Sequence, residues 1–271
     1  MKIAQKSAVV TGATGGIGKA IARALIEKEA GCVGIVDLSD SCQQVADELN
    51  QWAGREVAIP FSGDVTDGEF RSNVFNSIKQ RHDLVRICVP AAGILRDALA
   101  TKLNRETEQV ELYSEETFKQ VLDVNLLHPV YWSMTTLAGI VEDRHARGLK
   151  GWQPDEAIQG SIVLIGSVSN RGNRGQISYA SAKSGLNGAC NTLNTEGMFH
   201  GVQTRIVHPG MVNTPMIQQL PEGFFEEKVK PQIPLGRVIE PAEIASVVVT
   251  LIENPIISGQ IWADGAMLPM T

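Results

Sequence analysis

The clearest indication of the fold is the segment Ser7-Ala-Val-Val-Thr-Gly-Ala-Thr-Gly-Gly-Ile-Gly18. Its first five residues form a short, mostly apolar run that predicts a buried strand. Residues 19–29 then repeat apolar side chains at helical spacing, so the glycines lie between a strand and a helix N-terminus. Free N–H groups and the helix dipole suit a pyrophosphate there, and glycines let the backbone approach it closely. The flanking strand and helix favour this dinucleotide-binding turn over an ordinary glycine loop.

A carboxylate ends the second predicted strand, Val33-Gly-Ile-Val-Asp37. It lies about twenty residues past the glycines, where dinucleotide folds place an acid on the adenosine ribose hydroxyls. A carboxylate would repel a 2′-phosphate, and neither the glycine turn nor Leu38-Ser-Asp40 contains an Arg or Lys to receive one. The pattern favours NAD(H) over NADP(H); the alternative is an acid that only caps the next helix.

A tyrosine and a lysine lie four residues apart in Tyr179-Ala-Ser-Ala-Lys183. On a helix both side chains share one face, and an ammonium group favours a phenolate over a phenol. We expect Lys183 to lower the pKa of Tyr179 from about 10 towards the working pH, so that the phenol exchanges a proton with a carbonyl or alcohol oxygen. The spacing alone also fits a solvated helix surface; the glycine turn and a serine upstream favour catalysis.

That serine is Ser167, which follows the predicted strand 161–165. A hydroxyl at this strand end can hydrogen-bond a substrate carbonyl or alkoxide beside Tyr179. Ser169 is a nearby alternative, and a capping or loop role is also open to Ser167.

Strands and helices alternate along the chain. Predicted strands are 7–11, 33–37, 57–61, 84–89, 161–165, 203–207 and 258–263, and predicted helices are 19–29, 42–52, 70–81, 117–143, 179–200 and 241–253. This order predicts an α/β fold, a doubly wound parallel sheet of about seven strands with helices on both faces. Ligands in such sheets bind beyond the carboxyl ends of the strands, where the motifs above lie.

Composition narrows the classes of function. The 271 residues show no linker, charge block or repeat, so a single domain over 1–271 is expected. A net charge of −6 argues against a nucleic-acid partner, and no apolar run approaches the roughly 20 residues that span a bilayer. The first strand begins too early for a signal peptide, and the cysteines and histidines show no metal-ligand spacing. We expect a cytoplasmic protein without metal, membrane or nucleic-acid ligands.

These motifs together resemble the short-chain dehydrogenase/reductase family, and the resemblance runs from residue 5 to about residue 270. It is carried by Thr11-Gly-x-x-x-Gly16-x-Gly18, Asp64-Val65, Asn125, Ser167, Tyr179-x-x-x-Lys183 and Pro209-Gly-Met-Val-Asn-Thr214. Within the family, the chain is most similar to 3-oxoacyl-(acyl-carrier-protein) reductases. The phrases behind this are Ala92-Gly-Ile-Leu-Arg-Asp97, Ile165-Gly-Ser167, Pro234-Leu-Gly-Arg237 and Ser258-Gly-Gln-Ile-Trp-Ala-Asp-Gly265.

The resemblance implies a single-domain Rossmann fold and a set of site residues. The implied catalytic residues are Asn125, Ser167, Tyr179 and Lys183, with Asn125 supporting a water chain from Lys183 to solvent. The implied cofactor contacts are Gly12, Thr14, Gly15, Gly16, Ile17, Gly18, Asp37, Leu38, Asp64, Val65, Ala91, Ala92, Gly93, Tyr179, Lys183, Pro209, Gly210, Val212 and Thr214. Tyr179 would exchange the proton, Ser167 would orient the substrate oxygen, and Lys183 would hold the nicotinamide ribose.

Several features depart from the family pattern. Pro90-Ala91-Ala92-Gly93 stands where Asn-Asn-Ala-Gly is usual, so the asparagine side chains that brace the central strand are missing. Asp37 departs from the NADPH preference usual among the acyl reductases. Segments 98–116 and 142–159 look longer than usual, and they shape either an oligomer interface or the substrate mouth. The apolar residues at about 214–237 predict a substrate lid, with a simply packed helix pair as the alternative.

The function predicted is an NAD(H)-dependent oxidoreductase that interconverts a secondary alcohol and a ketone, in the manner of a 3-oxoacyl reductase. The substrate is a small molecule or an acyl thioester, and a homo-oligomer, tetramer or dimer, is implied by the resemblance. One alternative is an NAD-linked dehydrogenase of polyols or small alcohols. An alternative of another class is a non-catalytic dinucleotide-binding sensor or scaffold, which an intact Asn, Ser, Tyr and Lys set disfavours.

Overall fold

A parallel sheet of seven strands is the centre of the computed structural model, which describes residues 1–214, 227 and 230–267. Its strands are β1 Ser7–Thr11, β2 Cys32–Asp37, β3 Ala58–Ser62, β4 Val85–Pro90, β7 Gly160–Ile165, β8 Val202–Pro209 and β9 Gly259–Ala263. They pair in the order β3-β2-β1-β4-β7-β8-β9, with every pairing parallel. The order reverses between β1 and β4, which opens a crevice at their carboxyl ends.

Helices cover both faces of this sheet. They are α1 Gly16–Glu27, α2 Cys42–Ala53, α3 Gly68–Arg81, α4 Glu115–Leu122, α5 His128–Ala146, α6 Ile177–Met198 and α7 Pro241–Glu253. One apolar core joins α1, α2 and α7 to the sheet, and a second joins α3, α5 and α6 to it. Neighbouring residues of β1 enter opposite cores, since Ala8 and Val10 belong to the first and Val9 to the second. The predicted doubly wound Rossmann fold is confirmed.

The predicted helical region 117–143 is helical throughout, but it is not a single α-helix. The chain forms α4, then a π-helical turn over Asp123–Leu127, and then α5. Inside this turn the Asn125 side-chain amide donates to the Val121 carbonyl at 3.0 Å. Such wide turns often occur at functional sites, and Asn125 is a predicted site residue.

The first long insertion contains a β-hairpin that the sequence patterns did not predict. Its strands are β5 Thr101–Leu103 and β6 Val110–Leu112, and all six residues are exposed. The Tyr113 hydroxyl ties the hairpin to the domain, because it donates to the Arg96 carbonyl at 2.6 Å and bonds the Ser178 hydroxyl at 2.9 Å. Three residues per strand are too few for a period-two pattern to be recognised.

The second insertion is held by a buried ion pair. Arg144 on α5 is 1% exposed, and its guanidinium donates to both Glu156 oxygens, at 2.6 and 3.1 Å. It also donates to the Lys150 carbonyl at 3.2 Å. The loop after α5 is therefore fixed against the domain. None of the helices in the described part of the chain has the length and apolarity needed to cross a membrane.

Candidate active site

One cleft of about 1310 Å³ opens at the carboxyl ends of the central strands. The sequence-predicted residues that line it are Gly12, Thr14, Gly15, Gly16, Ile17, Gly18, Asp37, Leu38, Asp64, Val65, Ala91, Ala92, Gly93, Ser167, Tyr179, Lys183, Pro209, Gly210, Val212 and Thr214. Asn125 does not line the cleft. The fold thus brings residues from seven separate stretches of sequence into one cavity.

The glycine turn fits a bound pyrophosphate. Gly15 caps α1 and has open space where a side chain would project, and no side chain caps the first turn of this helix. The free N–H groups in the first turn of α1 therefore face the cleft. At Gly18 a Cβ would overlap the Gly12 carbonyl, so this position requires glycine for the close packing of strand and helix. The residues present thus fit a dinucleotide.

The Asp37 carboxylate is fixed at the rim of the turn. Its Oδ2 accepts the Thr14 N–H at 3.1 Å and the Thr14 hydroxyl at 2.8 Å, and its Oδ1 accepts the Ser39 N–H at 3.3 Å. The cationic side chains among the described lining residues are Arg96, Arg174 and Lys183. Arg96 lies in the loop after β4, Arg174 lies in the loop before α6, and Lys183 lies on α6. None of the three follows β2, where Asp37 lies.

Tyr179 and Lys183 lie one turn apart on α6, as predicted. The Lys183 Nζ lies 5.6 Å from the centre of the Tyr179 ring and donates to the Ile165 carbonyl at 2.8 Å. Burial lowers the pKa of Lys183 to about 8. The Tyr179 pKa is raised, first by burial and then by the Asp97 charge, while a hydrogen bond with Ser167 opposes both. We predicted that Lys183 lowers the pKa of Tyr179. For the groups of the protein alone this prediction is wrong, because burial disfavours the phenolate and raises that pKa.

The two candidate serines have different positions. Ser167 ends the stretch after β7, and its side chain opposes the rise of the Tyr179 pKa, so it lies beside the phenol. Its hydroxyl oxygen accepts the Ser169 N–H at 3.1 Å. Ser169 is buried. Ser167, and not Ser169, therefore acts on the ionisation of the phenol.

Asn125 holds the loop that follows β4. Its Oδ1 accepts the Ile94 N–H at 3.1 Å, and its amide donates to the Ile94 carbonyl at 2.9 Å. Its side chain is fully buried, and a Cβ at Gly93 would lie 2.7 Å from its Oδ1. The structure therefore gives Asn125 a bracing contact with the cofactor side of the cleft, while the water chain stays a prediction.

A histidine that the sequence patterns did not single out braces the loop that lacks the usual asparagines. Thr11 Oγ1 accepts the Ala92 N–H at 3.1 Å and lies 3.0 Å from His128 Nε2. His128 Nδ1 lies 2.9 Å from the Val124 carbonyl, so Nδ1 carries the hydrogen and Nε2 accepts the threonine hydroxyl. Burial is the main cause that lowers the pKa of His128 to about 3. A neutral imidazole thus links β1, the loop after β4 and the π-helical turn.

The predicted lid lies mostly outside the described residues, which omit 215–226, 228 and 229. At its far end Ile233 is buried and packs with Met267, and Gln232 and Met267 line the cleft. The described residues include no group of three or more His, Cys, Asp or Glu side chains that could hold a metal ion.

Comparisons with known proteins agree with this geometry. The sequence model of the short chain dehydrogenase family matches residues 6–223. The chain is similar to carbonyl reductase family member 4 of Danio rerio, with 33% identity over 96% of this chain and 97% of the relative. It is similar to the 3-oxoacyl-(acyl-carrier-protein) reductase of Vibrio cholerae, with 32% identity over 93% and 91% of the two chains. The reductase of that name from Thermotoga maritima is 30% identical over 99% and 100%.

Proposed function

The chain belongs to the short-chain dehydrogenase family, and we propose that it is an NAD(H)-dependent oxidoreductase that interconverts a secondary alcohol and a ketone. Family membership and the named reductases already make it an oxidoreductase enzyme that binds a nicotinamide dinucleotide. The observation that carries the finer proposal is that Ser167, Tyr179 and Lys183 line the same cleft as the glycine turn.

The bound dinucleotide supplies or accepts the hydride. Tyr179 exchanges the proton at its phenol oxygen with the substrate oxygen, and Ser167 orients that oxygen. Lys183 is held by the Ile165 carbonyl, which keeps its ammonium close to the phenol and to the cofactor side of the cleft. Because burial raises the pKa of Tyr179, the phenol keeps its proton near neutral pH and can donate it to an alkoxide that forms during reduction.

The preference for NAD(H) rests on Asp37. Its carboxylate is held by Thr14 and Ser39, so it cannot swing away from an incoming 2′-phosphate without losing these hydrogen bonds. A fixed negative charge at this position accepts the hydroxyls of an adenosine ribose and repels a phosphate.

For the substrate we propose a 3-oxoacyl thioester or a related ketone. Support comes from two relatives named as 3-oxoacyl-(acyl-carrier-protein) reductases and from one named as a carbonyl reductase. The substrate side of the cleft combines apolar side chains with polar ones, namely Ile94, Leu95, Leu99, Val168, Met211 and Met267 with Arg96, Asp97, Asn173, Arg174 and Gln176. Oxidation of a polyol or small alcohol is the second candidate, which Asp37 favours through NAD.

Binding and turnover test the proposal together. NADH and NADPH are titrated by fluorescence against the wild type and Asp37→Ala, and both proteins are assayed with acetoacetyl-CoA, simple ketones and polyols. We expect tighter NADH than NADPH binding that relaxes in Asp37→Ala, and reduction of the thioester or a ketone. Tyr179→Phe should bind NADH normally and lose turnover, because it lacks the exchangeable proton. Preference for NADPH would refute the proposed use of NAD(H). Substantial turnover by Tyr179→Phe would refute the proposed proton exchange by Tyr179.

We also propose that the chain forms a homo-oligomer through α5 and α6. Tyr131 and Met134 on α5 are about half exposed, and an apolar hollow lies beside them, lined mainly by Val130, Leu137, Ala138, Ala189 and Leu193. Burial of such a surface favours association. Light scattering after gel filtration should give a dimer or tetramer, and a monomer at micromolar concentration would contradict this.

A cytoplasmic location is proposed from the thiols. Cys32, Cys42, Cys88 and Cys190 are all buried and free, which is typical of a reducing compartment. Alkylation after denaturation should modify all four cysteines. Protein isolated from its cells with a disulfide, or recovered in an exported fraction, would overturn this location.

A further inference from the structure

His208, at the carboxyl end of β8, is a fully buried histidine that lies against the candidate catalytic serine. The Ser167 backbone N–H donates to its Nδ1 at 3.2 Å. A backbone N–H can only donate, so Nδ1 accepts, and a neutral imidazole must then carry its hydrogen on Nε2. Gln260 Oε1 lies 3.2 Å from Nε2 and accepts that hydrogen. Both ring nitrogens therefore have a fixed partner.

The ring itself is clamped. It stacks on Trp262 with 4.4 Å between ring centres and 22° between ring planes, and the Arg171 guanidinium lies 3.7 Å from the Trp262 centre. At Gly166 a Cβ would overlap the imidazole, so the ring lies directly against the backbone that leads into Ser167. The position of the serine backbone is therefore coupled to the position of this ring.

The groups around His208 favour its neutral form. Burial lowers its pKa, and the positive charges of Lys183 and Arg171 lower it further, while its hydrogen bond with Gln260 acts in the opposite direction. The Asn170 amide, 3.4 Å from Nδ1, adds a second N–H donor on that side. A proton on Nδ1 would point at two N–H donors and would break the hydrogen bond from the Ser167 N–H.

We propose that His208 is a positioning residue, which through Nδ1 holds the Ser167 backbone so that the serine hydroxyl stays beside Tyr179 in the cleft. The inference rests on the oxidoreductase function proposed above. Ser167 and the residue before it are otherwise held by three hydrogen bonds. The Gly166 N–H donates to the Val207 carbonyl at 2.7 Å, the Asn170 N–H donates to the Ser167 carbonyl at 3.2 Å, and the Ser169 N–H donates to the serine hydroxyl. Without an acceptor at Nδ1, the Ser167 N–H loses its partner and the strand end can rotate.

Two substitutions separate positioning from packing. His208→Asn places a side-chain carbonyl near the former Nδ1, whereas His208→Gln places its amide near the former Nε2. We expect His208→Asn to keep kcat within about threefold, and His208→Gln to lose about 10- to 100-fold, with KM changed less than about threefold, as a small misplacement of a reacting group costs about this much. His82→Gln, on an exposed histidine, is the matched control and should match the wild type. Equal kcat values for the two His208 variants would overturn the proposal.

A readout without substrate separates this inference from the proposed function. Long-range 1H–15N spectra of histidine-labelled protein, assigned by loss of the His208 signal in His208→Asn, should show Nε2 protonated and Nδ1 unprotonated at pH 8. A proton on Nδ1 would overturn the proposal, whatever the enzyme turns over. NADH titration of each variant checks that the cofactor side is intact, and His208→Gln should bind NADH like the wild type. If no substrate is converted while this tautomer is found, the proposed function fails and the hydrogen bond to Ser167 stands.

Discussion

Acidification below about pH 6 should destabilise the folded protein through His128. Its imidazole is 2% exposed, and its pKa in the folded chain is about 3, against about 6.5 for a free histidine. Burial is the main cause, and the charges of Lys183 and Arg71 add to it, against the Val124 hydrogen bond and Asp64. As the pH falls through about 6.5 the unfolded chain takes up a proton that the folded chain refuses, so the free energy of unfolding decreases until the folded pKa is reached.

The size of this effect follows from the two pKa values. At pH 5 nearly all unfolded chains carry the proton and only about 1% of folded chains do, so linkage removes about 2 kcal/mol between pH 8 and pH 5. A domain has a total stability of about 5–15 kcal/mol, so one buried histidine accounts for a measurable share. The loss grows towards lower pH, by about 1.4 kcal/mol for each pH unit.

Urea unfolding at fixed protein concentration, from pH 8 to pH 5, measures this contribution. His128→Gln removes the titration while its side-chain amide can still accept the Thr11 hydroxyl. The free-energy difference between wild type and His128→Gln should shrink by about 2 kcal/mol over this range. His145→Gln, on an exposed histidine of α5, should follow the wild-type curve. Parallel curves for wild type and His128→Gln would refute the assignment of the pH dependence to His128.

Two further predictions test the glycine turn and the second insertion. Gly18→Ala should abolish measurable NADH binding in a fluorescence titration, because the added Cβ overlaps a backbone carbonyl. At Gly15 a Cβ has open space, so Gly15→Ala should weaken NADH binding by less than about tenfold. Equal losses of affinity in the two variants would contradict this explanation. Glu156→Gln should lower the free energy of unfolding measurably, because it removes the carboxylate that is paired with the buried Arg144 guanidinium. Asp155→Asn removes the same charge from an exposed neighbour and should change stability by less than about 0.5 kcal/mol in urea unfolding, so a matching loss there would contradict the buried-pair explanation.

Local patterns in the sequence predicted most of the sheet and the glycine turn, and the family resemblance implied the rest of the cleft lining. Ser7–Thr11 was predicted with the bounds it has, and all seven sheet strands overlap their predicted ranges. The π-helical turn at Asn125 and the hairpin after Ala98 were missed, because each depends on side-chain contacts made far along the chain. His128 was missed for the same reason: its partner Thr11 is 117 residues away.

The pKa of Tyr179 depends on the tertiary structure and not on the local sequence alone. Spacing along α6 correctly placed Lys183 beside it, and charge alone would lower the pKa of the phenol. The tertiary structure adds burial, which raises the pKa of Tyr179 and lowers that of Lys183 to about 8, and it brings Asp97 from the loop after β4. Both ionisable groups are therefore shifted towards their neutral forms. A phenol that keeps its proton can donate it during reduction. Oxidation needs the phenolate, which an added positive charge in the cleft would favour. The oxidised nicotinamide ring would carry that charge.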